Sequence, residues 1–175
     1  GYRDDFVVLA NDINTCNTPQ GWVSIYKRLV SWDMTFEASG NPMEDVLQMQ
    51  KKEANSEFSK FIRSQYQSWF SIKAGDTAPI LSHTLFKERI FPVLDKNERV
   101  FLILLDNFRL DQWFSIKPLL IDYFSINEDV YFSILPTATQ YARNALLSGQ
   151  TPLQLSKAYP QLWVDEGDDQ GKILS

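Results

Sequence analysis

Val100-Phe101-Leu102-Ile103-Leu104-Leu105 is an unbroken apolar run that stops at Asp106. A continuous run of this length is the pattern of a strand covered on both faces, as in parallel sheets. A second stretch, 130–135, ends at Pro136-Thr137-Ala138-Thr139. Between them, residues 110–124 place Trp113, Ile116, Leu120 and Phe124 on one helical face, with Pro118 expected to kink it. A further helix is expected from about Gln140 to Ser148-Gly149, and Thr151-Pro152 opens another. The order strand–helix–strand–helix predicts the beginning of an α/β unit with a parallel sheet.

Upstream the period is helical. Phe6, Leu9 and Ile13 fall at i, i+3 and i+7, and Thr18-Pro19 is a cap and first-turn pair ahead of a stripe of Trp22, Ile25, Tyr26, Leu29 and Phe36. Ser39-Gly40-Asn41-Pro42 breaks the pattern. From Met43 to about Lys73, Leu47, Ala54, Phe58, Phe61, Ile62 and Trp69 recur at three- and four-residue steps. Three amphipathic helices with short connections predict an antiparallel bundle. Gly75-Asp76-Thr77-Ala78-Pro79 interrupts, and a short helix is expected over 82–91. The expected fold class is therefore α+β: a three-helix bundle over 1–75, a connecting segment over 76–98, and an incomplete α/β unit with parallel strands over 99–175.

Composition narrows the function classes. The 175 residues are 44% hydrophobic and carry 22 acidic against 17 basic side chains, a formal charge of −5. That apolar fraction excludes disorder, and the acidic balance argues against a nucleic-acid coat held by overall charge. The single cysteine, Cys16, excludes an internal disulfide framework. No apolar run reaches the roughly 18–20 residues of a membrane span, so no membrane insertion is expected and the cytoplasm is the expected compartment. The chain starts at Gly1, already close to an amphipathic pattern, and is expected to be a piece of a larger protein. Its acidic tail, Asp165-Glu166-Gly167-Asp168-Asp169, reads as a solvated loop.

In open α/β sheets ligands bind at the carboxyl ends of strands. Asp106 follows the first expected strand, and Thr137 and Thr139 follow the second. A buried carboxylate there costs free energy unless it meets a cation or hydrogen-bond donors. Asp and Thr are also ordinary cap residues, and capping accounts for these three at least as well as catalysis does. Arg143 and Asn144 lie near enough to the start of the next helix to contact an anion at its N-terminus. No glycine-rich loop follows either strand, which removes a nucleotide-binding fold. A phosphoacceptor receiver is set aside because helix rather than strand precedes Val100.

Longer words of the sequence point further. Leu105-Asp106-Asn107-Phe108-Arg109-Leu110-Asp111-Gln112-Trp113 and Ser133-Ile134-Leu135-Pro136-Thr137-Ala138-Thr139-Gln140-Tyr141-Ala142-Arg143-Asn144 resemble the start of a PglZ domain, a branch of the alkaline phosphatase superfamily. The 55–61 stretch, Leu81-Ser82-His83-Thr84-Leu85-Phe86 and Tyr159-Pro160-Gln161-Leu162-Trp163 resemble the PorX-type response regulators of the type IX secretion system, in which a receiver, a helical bundle and a PglZ effector follow one another. The resemblance implies an alkaline-phosphatase-like, incomplete second domain and a zinc-dependent phosphotransfer site. It places Asp106 as a metal ligand and Thr139 as nucleophile and ligand, with Thr137 as the fallback. Arg143 and Asn144 would hold a substrate phosphate. It further implies a phosphodiester substrate, such as an oligonucleotide, for the complete protein, and secretion-system regulatory proteins as partners.

A zinc centre needs more ligands than these. The one histidine, His83, precedes the first expected strand in a helical stretch and reads as a buried or capping residue. Zinc is therefore expected in the complete domain and not in this piece, which should be inactive by itself. The alternative is a non-catalytic signalling or dimerisation module, and a homodimer is expected on either reading because an unpaired sheet edge recruits partners.

Overall fold

The computed structural model describes residues 2–39, 43–71, 78–96 and 99–163. Its helices are α1 (Tyr2–Thr15), α2 (Pro19–Ser39), α3 (Glu44–Gln65), α4 (Phe91–Leu94), α5 (Leu110–Leu120), α6 (Thr139–Ser148) and α7 (Pro152–Ala158). A 3₁₀ segment, Tyr66–Phe70, continues α3, and a π-helical turn, Phe86–Ile90, leads into α4. The described residues form two compact units, one drawn from Gly1–Thr77 with Leu104–Glu128 and the other from Ala78–Ile103 with Asp129–Ser175.

In the first unit α1, α2 and α3 pack on one another, and α5 packs on α2. The predicted stripes meet inside it. Phe6, Leu9, Ile13, Trp22, Ile25, Leu29, Phe36, Leu47, Ala54, Phe61 and Trp69 are buried. Phe6 stacks on Phe36 with centroids 5.8 Å apart, and Trp22 meets Phe58 edge-on at 5.2 Å. Such pairs add stability beyond the area they bury. Thr18 caps α2 as expected, its Oγ1 accepting from the Gly21 amide at 3.1 Å. Two expectations fail locally. Tyr26, placed on the buried stripe, is 57% exposed, and Phe58 is only partly covered.

The second unit buries Leu81, Ile134, Ala145, Leu146 and Leu155. Gly149 ends α6 in the left-handed region, with φ +68°, a conformation in which a side chain would be strained. Thr151 opens α7 with a reciprocal cap: its Oγ1 accepts from the Gln154 amide, and the Gln154 side chain accepts from the Thr151 amide at 2.8 Å.

The α/β expectation is overturned. Among the described residues there is no extended strand, and the one β-bridge joins Leu81 to Phe132 in parallel. Its hydrogen bonds run from the Phe132 amide to the Ile80 carbonyl at 2.8 Å and from the Ser82 amide to the Phe132 carbonyl at 3.2 Å. The expected strand at 130–135 is thus a single rung, and its partner, Leu81, immediately precedes the segment expected to be helical over 82–91. The run at 100–105 is irregular, and its apolar side chains stand out: Phe101 is 89% exposed and Ile103 79%. The reason is cooperative. A strand has no hydrogen bonds of its own and exists only when neighbours supply the ladder. An apolar run predicts what a segment would do if covered, and here nothing described covers it.

Candidate functional site

Asp106 begins the turn before α5 and is exposed. Its Oδ1 accepts from the Asn107 amide at 2.9 Å, and Asn107 takes a left-handed φ of 55°. Asp106 does not cap α5. That position is Arg109, whose amide donates to Gln112 Oε1 at 2.9 Å, and whose guanidinium bridges Asp111. The Arg109 guanidinium holds the Asp111 carboxyl below the usual carboxylate range.

Thr139 is exposed and is the first residue of α6. The cap position is Ala138, which has no side-chain oxygen, so neither threonine occupies it. Thr137 is exposed one residue before that cap. Arg143 lies four residues after Thr139 and shares its helix face, exposed; Asn144 follows, partly covered. A hydroxyl at a helix start that has no side-chain cap, with a guanidinium one turn on, can place an anion against the positive end of α6. Asp106 belongs to the first unit, whereas Thr137, Thr139, Arg143 and Asn144 belong to the second.

The family-implied zinc can be tested against the donors. A carboxylate and an alcohol are acceptable oxygen ligands, but zinc sites use three or four protein ligands. Among the described residues no group of three His, Cys, Asp or Glu stands together. The donors of the described residues therefore do not by themselves complete a zinc coordination sphere. His83 is partly buried, and desolvation holds its imidazole below the ordinary histidine value. The acidic stretch 165–169 lies outside the described residues.

Sequence reasoning missed one cluster. The Glu128 carboxylate accepts from Trp113 Nε1 at 2.9 Å and from Lys117 Nζ, with Lys27 Nζ 3.9 Å away. Lys117 first, then Trp113, hold the Glu128 carboxyl below its usual range. The signal was present as Trp113 and Lys117 at i and i+4, two donors on one face of α5. Two open depressions of about 440 and 480 Å³ flank Phe114 where α5 meets α2, and neither is lined by a residue expected to be catalytic.

Among the described residues no helix is long and apolar enough to cross a membrane. In comparison with known proteins, the PorX response regulator linker domain matches residues 1–70. The BREX system PglZ alkaline phosphatase-like domain matches residues 85–174, just over half of the chain. No curated protein matches it. A PorX-type linker followed by a PglZ segment is the arrangement expected from the sequence, and the chain belongs to the PglZ alkaline phosphatase-like family.

Proposed function

We propose that this chain is the linker and the first part of the effector of a cytoplasmic response regulator whose PglZ domain hydrolyses phosphodiesters with zinc and acts in control of type IX secretion. The supporting observation is the PglZ match over 85–174, a range that contains Asp106, Thr137, Thr139, Arg143 and Asn144 together. Asp106 is assigned to the metal, and Thr139 to the metal and to nucleophilic attack, with Thr137 as the alternative. Arg143 and Asn144 are assigned to the phosphate. When bound, zinc supplies positive charge that makes a neighbouring alcohol easier to deprotonate. The chain's own contribution is to present the Thr139 hydroxyl at the start of α6, where first-turn amides and Arg143 favour the charge of a phosphate. An oligonucleotide is the proposed substrate class, and secretion-system regulatory proteins are the proposed partners.

The test is hydrolysis of bis(p-nitrophenyl) phosphate under zinc titration by a chain extending this sequence with further ligands. Turnover should require zinc and fall about a thousandfold or more in Thr139→Val. The 175-residue chain itself should show little turnover, because two assigned ligands do not complete a zinc sphere. Undiminished turnover in the variant sinks the assignment.

A second reading, a signalling or dimerisation module without catalysis, is favoured by the exposure of the apolar side chains of residues 101–105. Such a surface seeks a partner, and a second copy of the chain is the proposed one.

A further inference from the structure

We infer that Glu128 is a positioning residue: its carboxylate latches α5 to α2, so that the bundle holds the turn carrying Asp106. The inference rests on the proposed role of Asp106 for its consequence, but not for its geometry. Helix α5 has no buried residue. Ile116 is 39% exposed and Leu119 70%, so much of its apolar surface points away from the unit's core. Apolar burial alone holds such a helix weakly.

Polar groups then decide where it sits. Glu128 lies beyond the end of α5, and its side chain is only 25% exposed. It gathers Trp113 and Lys117 from α5 and lies 3.9 Å from Lys27 of α2. One carboxylate thus faces donors from two helices, one in the linker-matched range and one in the PglZ-matched range. Single exposed ion pairs contribute little, but a carboxylate that accepts from two donors and faces a third cation at the edge of a packed contact is a stronger constraint. At the other end of α5, only Asn107, Phe108 and Arg109 separate Asp106 from the helix. Asn107 is fixed in the left-handed region, and Arg109 is tied to Gln112 and Asp111. A displacement of α5 is therefore passed to Asp106 through a short, internally bonded turn.

The measurement is amide hydrogen exchange on the chain and on Glu128→Gln, Lys27→Met and the double variant, in the range where local opening controls exchange. In Glu128→Gln, amides of α5 and of residues 107–109 should exchange about fivefold faster, with α1 and α3 unchanged. Lys27→Met should give a smaller rise at the same amides and add nothing to Glu128→Gln, since both remove one interaction. Unchanged exchange in α5, an equal rise in α1 and α3, or simple additivity of the two variants would each overturn the latch. A wrong role for Asp106 shows separately, as zinc-dependent turnover indifferent to Asp106→Asn while the exchange pattern holds.

Discussion

The stripe on α2 and the run at 100–105 are both strongly apolar, yet one forms a core and the other stands in solvent. Trp22, Ile25, Leu29 and Phe36 recur at helical spacing, and Phe6, Leu9, Leu47 and Phe61, also buried, come from the helices packed on α2. Each helix satisfies its own backbone and needs a neighbour only for its apolar face. The run at 100–105 needs neighbours twice over, for its side chains and for its backbone hydrogen bonds. Local pattern suffices for the first kind of element and not for the second.

The largest effect that can sharpen this contrast comes from the bundle. Phe36 is 1% exposed and packs on Phe6, Trp32 and Tyr2. Phe36→Ala should lower unfolding free energy by about 3–5 kcal/mol, read by urea titration. A loss below about 1 kcal/mol would mean that the stripe is not the core. At the other pole, Ile103→Lys should leave that stability within about 0.5 kcal/mol, because the side chain is 79% exposed. The same variant should weaken the proposed pairing of two copies, and light scattering showing the original chain as a monomer at all concentrations would remove that pairing.

The smallest effect is in pH. Burial depresses the His83 imidazole, so the unfolded chain takes up a proton as pH falls past about 6.5 while the folded one resists. Stability of the second unit is therefore fully present above that range and declines as pH falls through it toward the lower folded value. His83→Gln should flatten the decline, measured by urea midpoints at about pH 7 and pH 5.5. Glu128 has the same sign in a lower window. Its lowered carboxyl favours the folded state at neutral pH, and that favour declines only as pH falls past the ordinary glutamate value of 4.5 toward its lowered value, so α5 should remain latched between about pH 7 and 5.5.

The bundle was legible because its information is periodic: Leu9, Leu29, Leu47 and Phe61 declare their faces by spacing alone. Helices α6 and α7 were legible through Gly149 and the Thr151-Pro152 start, where the backbone leaves few choices. The expected sheet is absent from the described residues, and the one bridge was not legible, because pairing is a property of two segments and the rung between Leu81 and Phe132 spans 51 positions that no local window contains. The proposed site residues were read from words of a family and not from geometry. Glu128 stayed hidden because its partners Trp113, Lys117 and Lys27 converge only once α5 lies on α2.

The most direct test of the central claim, that Thr139 is the nucleophile, is to find the atom that carries the substrate fragment. A zinc-loaded longer chain, quenched in acid during turnover of bis(p-nitrophenyl) phosphate, can be digested and the peptide spanning residues 136–143 sequenced by mass spectrometry. The predicted result is a phosphoryl-ester adduct on Thr139, absent from Thr139→Val and from reactions without zinc. An adduct on Thr137, or turnover with neither threonine modified and Thr139→Val fully active, would contradict it.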